Sequence, residues 1–247
     1  LCERLKTDSV ATALIVNALE YLANGKGAAA VQSAVNGAAE KKFYNLGIDF
    51  THYVDLRPFC NMGFRDEVAN DRTGGWLDFG AADLREMPVG HQAMRGVSFD
   101  VINPGYNNGK SMISLAGKPR VDIDRSYFPK EVKGIKVGAR LKQLFFLHSC
   151  MWVTDELKEK EVLRYVIRYK SGKTADFPVI DGTDIADWEH PEDHKNALTA
   201  FIDSKDVGIY IACWPNPSPQ DAIESIDIIS TGGAVPGVIA ITGERDL

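Results

Sequence analysis

Residues 161–169, EVLRYVIRY, alternate between apolar and polar side chains. A period of two places successive side chains on opposite faces of a sheet, so the segment predicts a half-buried β-strand. The KSGK sequence at 170–173 supplies a turn, and residues 174–179 have the composition of the returning strand. This part of the chain is therefore expected to form antiparallel β-sheet.

Similar strand-like segments occur along most of the chain, separated by clusters of Gly, Pro, Asn and Asp. They lie at 52–56, 97–102, 111–115, 133–138, 140–148, 207–214, 222–229 and 235–242. Many short strands with turn residues between them predict an all-β fold, an antiparallel β-sandwich or a jelly roll, rather than βαβ units. One helical interruption is expected at 194–203, because Ala197, Leu198 and Phe201 have helical spacing.

The N-terminal residues have a different pattern. Asp8 and Ser9 are suitable N-caps, apolar residues then recur every three to four positions to Leu22, and Asn24-Gly25 provides a stop. Residues 26–39 are compatible with a linker or a weak strand. We therefore predict a helix and linker over 1–39, as the remnant of a preceding domain, and a β-sandwich domain over 40–247.

The charge balance excludes some partners. Lys and Arg total 28 against 34 for Asp and Glu, a formal net charge of −6. Nucleic acids and anionic membranes select clustered positive charge, so neither is expected as a partner. No apolar run approaches the roughly 18 to 20 residues of a membrane-spanning helix. The four cysteines are too widely spaced for a metal knuckle and too few for a disulfide scaffold.

The densest polar motif is the segment 70–80, NDRTGGWLDFG. Its glycines permit an irregular backbone, and Asp71 and Asp78 offer hard oxygen ligands, which predicts a structural Ca²⁺ ion. In the alternative interpretation Trp76 caps the core and the aspartates hydrogen-bond the loop onto itself. The sequence leaves both open.

Tryptophan rings in loops are candidate platforms for a sugar, because a pyranose ring has an apolar C–H face. Trp188, Trp152 and Trp76 are the candidates, whereas Trp214 alternates with strand positions and is expected in the core. Sugar hydroxyls need polar partners, and the candidates are Arg65, Asp71, Asn107, Asn108 and His190. His148, in LFFLHSC, is expected to be a hydrogen-bonded histidine at the end of a strand rather than a catalytic base. No nucleophile elbow, phosphate loop, dinucleotide fingerprint or HExxH motif is present, so no catalytic residue is assigned.

Several segments together resemble a known module: VDLR at 54–57, GGWLD at 74–78, DLR at 83–85, VSFDVI at 97–102, LFFLH at 144–148 and WPNP at 214–217. They resemble a β-sandwich module toward the C-terminus of bacterial glycoside hydrolases, including β-galactosidase-like multidomain enzymes. The resemblance covers residues 43–243, and the opening helix is similar to the last helix of an amidotransferase-like domain. It implies a galactose-binding-like jelly roll with a structural calcium, a covalently linked catalytic domain and a secreted or periplasmic location.

The function expected from these features is that of a carbohydrate-binding module, which targets a polysaccharide-degrading enzyme to its glycan. Two alternatives remain. The domain could brace the catalytic core of its parent enzyme without binding sugar, since fold does not fix function. It could also be a jelly-roll lyase or hydrolase in its own right.

Overall fold

The computed structural model describes residues 44, 46–47, 50–118 and 123–246. The predicted helix at 8–22, the 26–39 stretch and the 39/40 boundary lie outside these residues. Within the described ranges, no helix combines the length and the apolar character needed to cross a membrane. The three cysteines in these ranges, Cys60, Cys150 and Cys213, are free thiols.

Twelve strands are present in the described chain. They are β1 (Thr51–Val54), β2 (Gly90–Met94), β3 (Val97–Val101), β4 (Ile113–Ser114), β5 (Glu131–Ala139), β6 (Leu141–Met151), β7 (Glu161–Tyr169), β8 (Thr174–Ile180), β9 (Leu198–Ile202), β10 (Gly208–Pro215), β11 (Ile223–Ser230) and β12 (Val235–Arg245). Three single 3-10 turns lie at Arg57–Phe59, Pro104–Tyr106 and Asp155–Leu157, and the described residues include no α-helix. The predicted all-β fold class is confirmed.

The strands form two main antiparallel sheets. The larger has the order β1-β12-β6-β10-β9, with β4 also paired to β12, and the smaller has the order β5-β11-β7-β8. Strands β2 and β3 form a separate hairpin. Residues of both main sheets share one hydrophobic cluster, to which β6 contributes Phe146 and β7 contributes Tyr165. The two sheets therefore pack face to face as a sandwich.

The outer face of the larger sheet is also buried. Phe145 and Leu147 of β6 and Ile211 of β10 belong to a second hydrophobic cluster on that face. The β2–β3 hairpin and the loops at 60–89 cover it, with Phe99 and Trp76 fully buried. Strand β6 is therefore an almost continuous apolar run, because both of its faces are covered.

The prediction of a helix at 194–203 is wrong. Residues Leu198–Ile202 form the edge strand β9, which pairs with β10 through contacts such as Thr199 opposite Tyr210. Thr, Phe and Ile favour a strand, and pairing with β10 outweighs the helical spacing of three apolar residues. The predicted core position of Trp214 is confirmed, since its side chain is buried. His148 has hydrogen-bond partners as expected, but it lies within β6 rather than at the end of a strand.

Candidate functional site

The loop at 60–89 is held together by buried carboxylates. The Oδ2 atom of Asp83 accepts the backbone N–H of Asp66 at 2.8 Å, and the Oδ2 atom of Asp66 accepts that of Gly80 at 2.9 Å. Arg85 closes the arrangement with an ion pair to Asp83 at 2.7 Å. Hydrogen bonds to a charged acceptor are about twice as strong as neutral ones, so these contacts stabilise a loop that has no strands of its own.

A buried arginine fastens the same loop to the segment after 123. The Arg125 side chain donates to the carbonyl oxygens of Leu77 and Asp78 and to Oδ1 of Asn70. The residue is only 1% exposed. Backbone carbonyls are therefore oriented toward a guanidinium group rather than toward solvent.

Three aspartates converge beside this arginine. One oxygen from each of Asp66, Asp71 and Asp78 lies within 4.8 Å of the others, with Asp66 and Asp78 buried and Asp71 exposed. None of the three takes part in an ion pair within the described chain. Burial raises the pKa of Asp66, and the carboxylates of Asp78 and Asp71 raise this pKa further.

The donor set of this aspartate cluster fits a hard cation. Ca²⁺ binds oxygen at roughly 2.3 to 2.6 Å, so two of its ligands lie up to about 5 Å apart. The 4.8 Å limit on the carboxylate oxygens is compatible with that span. The predicted self-bonding of the loop is also present, because Asp78 accepts the backbone N–H groups of Asp71 and Arg72 at 3.0 Å each. Each carboxylate oxygen can accept more than one interaction, so the two interpretations are compatible.

A groove of about 750 Å³, here called the 61–110 groove, opens beside this loop. Its floor and walls include the apolar side chains of Met62, Phe64, Met87, Val89 and Pro104. Its polar lining includes the side chains of Asn61, Arg65, Glu67, Arg72, Thr73, Arg85, Asn108 and Lys110. Such a mixture of apolar surface and placed polar groups is typical of ligand sites.

A close approach of two backbones shapes one wall of the groove. The N–H of Gly63 donates to the carbonyl oxygen of Gly74 at 2.6 Å. A Cβ atom at position 63 would lie 2.3 Å from the carbonyl oxygen of Gly109. Only glycine fits there, so the turn at 104–110 can rest directly on the loop.

The polar residues predicted in this turn have different roles. The Asn107 amide donates to the carbonyl oxygens of Arg57 and Lys110, at 3.2 and 3.1 Å, and holds the turn in place. Asn108 lines the 61–110 groove. Tyr106, next to them, is 90% exposed and is the most exposed large hydrophobic residue described. The turn thus offers an amide and an aromatic ring beside the groove.

Two of the predicted sugar platforms are buried, which corrects that prediction. Trp76 and Trp188 are 0% and 1% exposed and meet edge to face, with ring centroids 5.5 Å apart. A Cβ atom at Gly237 of β12 would lie 2.3 Å from the Trp76 ring, so this ring packs directly against the larger sheet. Fully burying a large apolar side chain contributes roughly 1.5 to 3 kcal/mol, which outweighs exposure for a weak stacking contact. Trp76 caps the core, as the alternative interpretation predicted.

The remaining predicted residues lie apart from the groove lining. Trp152 is half-buried, packs edge to face on Phe79 at 5.6 Å and lies under the Arg125 guanidinium. The His190 side chain is 85% exposed, and its Nδ1 lies 2.7 Å from Asp206 Oδ2. This contact raises the pKa of His190. His190 lines a separate pocket of about 250 Å³.

The structure therefore brings Arg65 and Asn108 to the groove, with Asp71 in the nearby aspartate cluster, but does not gather Trp152 or His190 there.

Three residues of this region were not predicted from sequence. Asp66 lies outside the glycine-rich motif that drew attention to Asp71 and Asp78. Tyr106 has a detectable signal, since it lies in a turn rich in Asn and Gly. Arg125 has none, because a buried arginine that binds carbonyl oxygens has no characteristic spacing.

Comparison with protein-family models, with curated proteins and with solved structures finds no match for this chain.

Proposed function

We propose that this chain is a carbohydrate-binding module of a glycoside hydrolase and that its glycan lies in the 61–110 groove. The observation that supports this most is the composition of the groove: an apolar floor surrounded by amide and guanidinium donors, with an exposed tyrosine at the adjacent turn. Sugar rings have one apolar C–H face and a rim of hydroxyls, so they need both kinds of surface.

In this proposal Tyr106 provides the stacking surface that Trp76 and Trp188 do not. Its ring is almost fully exposed, and the turn that carries it is fixed by the amide of Asn107. Asn108 and Arg65 line the neighbouring groove and supply donors for hydroxyls. Affinity would be modest, because hydroxyls exchange water for protein partners with a small net gain.

The resemblance of the sequence to galactose-binding-like modules supports the wider setting. The parent protein would be a secreted or periplasmic bacterial enzyme with a covalently linked catalytic domain. Tethering raises the effective concentration of that domain at a repetitive glycan, which compensates for weak binding by one module.

The aspartate cluster would hold a structural Ca²⁺ ion in this proposal. Asp66, Asp71 and Asp78 would be its protein ligands, and the cation would offset three carboxylates that lack ion-pair partners. Bound there, the ion would join the start and the end of the 66–78 segment, which contributes residues to the groove. The ion would have no role in chemistry at the sugar.

The groove favours binding over hydrolysis. Glycosidases use two carboxylates roughly 5 to 9.5 Å apart. Among the residues that line the groove Glu67 is the only acid, and it is paired with Arg65 at 2.5 Å. A Tyr–His pair does occur elsewhere, between Tyr165 and His148, but both side chains are buried between the sheets.

Affinity electrophoresis and calorimetry against a panel of galactans, agarose, carrageenan and host glycans would test the proposal. We expect at least one ligand, with binding weakened roughly fivefold to tenfold by Tyr106→Ala, the effect of losing one stacking contact of about 1 kcal/mol. Ile202→Ala removes an exposed apolar side chain outside the groove and is the matched control. Absence of binding to every glycan would leave the bracing role as the better explanation.

A further inference from the structure

The charge on the 61–110 groove differs in sign from the charge on the whole chain. Four cationic residues line it, Arg65, Arg72, Arg85 and Lys110, against the single acidic residue Glu67. The chain as a whole has a formal net charge of −6. Positive side chains are therefore concentrated at the place where a ligand would lie.

Two of these cations already have partners. Arg65 is paired with Glu67 at 2.5 Å, and Arg85 is paired with the buried Asp83 at 2.7 Å. Their charges are largely neutralised, although their remaining N–H groups can still donate hydrogen bonds.

The other two cations have no such carboxylate. Among the described residues, neither Arg72 nor Lys110 takes part in an ion pair. The Arg72 guanidinium lies instead over the Tyr127 ring, 5.0 Å from its centroid, and both residues line a neighbouring pocket of about 350 Å³. The Arg72 charge also interacts with the carboxylate of Asp124, so part of it is offset. Lys110 therefore leaves an ammonium without a carboxylate partner in the groove, and Arg72 carries a partly offset guanidinium between the groove and the neighbouring pocket.

We infer that the groove selects an anionic glycan, one whose sugars carry a carboxylate or a sulfate ester. This inference rests on the proposed carbohydrate-binding function and specifies its ligand class. A guanidinium presents a planar fork of donors that matches carboxylate and sulfate oxygens, and an ammonium adds a compact charge with three donors. The apolar floor contacts the sugar ring while these groups contact its anionic substituent.

The net negative charge of the rest of the chain does not prevent attraction between the groove and an anionic glycan. The Debye length is about 8 Å at physiological ionic strength, so a charge at the far side of the domain is largely screened. Local charge decides the sign of the interaction. Higher salt then weakens binding of an anionic glycan and leaves binding of a neutral one nearly unchanged.

Calorimetry with matched pairs of glycans tests this inference. The probes are carrageenan with its chemically desulfated form, and polygalacturonate with a neutral galactan, all in 1 mM CaCl₂. We expect at least one anionic probe to bind about fivefold or more tightly than its neutral partner. We also expect this preference to fall as NaCl is raised from 50 to 500 mM. The two pairs distinguish sulfate from carboxylate.

Substitutions then locate the effect. Lys110→Gln and Arg72→Gln should each weaken anionic binding about fivefold, the size of one partly exposed ionic contact, and leave neutral binding unchanged. Lys136→Gln removes an exposed cation on β5, outside the groove, and should have no effect. Equal affinity for charged and neutral partners, or anionic binding that survives both substitutions, would overturn the inference while the proposed function stands. Failure of all probes would overturn both. The comparison of probes on the wild-type chain remains decisive if a variant does not fold.

Discussion

The imidazole Nδ1 of His148 lies 2.9 Å from the hydroxyl oxygen of Tyr165, in a hydrogen bond that joins β6 of the larger sheet to β7 of the smaller one. The other ring nitrogen, Nε2, lies 2.9 Å from the carbonyl oxygen of Asp184. A neutral ring satisfies both contacts, with Nε2–H donating to the carbonyl and Nδ1 accepting from the hydroxyl. A protonated ring would direct a second N–H at the hydroxyl and bury a positive charge.

Acidification should therefore destabilise the domain. Complete burial lowers the pKa of His148 from 6.5 to about 4. Between these values the unfolded chain binds a proton that the folded chain does not, so the free energy of unfolding falls as pH falls from about 6.5 to 4. The loss is on the order of 3 kcal/mol. Urea unfolding at several pH values in this window would measure it.

His148→Gln is the matched variant for this prediction. It should be less stable at pH 7, by roughly 1 to 3 kcal/mol for a disturbed buried hydrogen bond, but should show a shallower pH dependence. The pKa of His52 is also lowered by burial and that of His190 is raised by Asp206, so some dependence will remain. An unchanged slope between pH 6.5 and 4 in the variant would show that His148 is not the responsible group.

Calcium should raise the melting temperature of the chain. A ligand at 100 times its Kd stabilises the folded state by about 2.7 kcal/mol, which corresponds to roughly 5 to 10 °C for a domain of this size. Differential scanning calorimetry in 1 mM CaCl₂ and in EDTA would measure the shift. Asp71→Asn should abolish most of this shift, because it removes the charge of one of the three carboxylates, at the exposed position of the aspartate cluster. Glu224→Gln, on the exposed side of β11, should respond as the wild type does. Identical melting in both buffers would exclude the ion.

Gly63→Ala should damage the groove specifically. The new methyl group would lie 2.3 Å from the Gly109 carbonyl oxygen, so the turn at 104–110 must move away. We expect a loss of about 1 to 3 kcal/mol in stability, as for other overpacked sites, and at least a tenfold loss of glycan affinity. Gly105→Ala is a milder change in the same turn, since its methyl group would meet only Asn103 Oδ1, at 3.2 Å. Wild-type affinity in Gly63→Ala would show that the turn does not shape the site.

The strands were predictable because most of them have distinct turns at both ends. The alternation in 161–169 coincides with β7, and the segments at 174–179 and 235–242 correspond to β8 and β12. The alternation does not indicate how the outer face of a sheet is covered. Strand β9 was missed because its partner β10 determines its conformation, and pairing partners are not visible in a local window.

The candidate site was only partly predictable for a related reason. A tryptophan in a loop beside a solvent-exposed sheet face can stay exposed. Here the 60–89 loop covers apolar residues of β6, β10 and β12, and Trp76 packs among them. The prediction that Arg65 and Asn108 are available to a ligand agrees with their position in the groove lining, because polar residues of loops and turns tend to lie at the surface. Tyr106 has the same local setting, but the stacking rings predicted from the sequence were tryptophans only.

Because adjacent residues of β6 enter different hydrophobic clusters, a slip of this strand by one position would exchange Phe145 with Phe146 and still leave both covered. Apolar patterning alone thus discriminates poorly between the two alignments. The polar partners of His148 discriminate well, since a shifted strand would separate its ring from Tyr165 and Asp184. The hydrogen bonds of one buried imidazole therefore help to fix the register of the central strand β6. Variants at position 148 should yield misaligned, aggregation-prone chains more often than variants at Phe145.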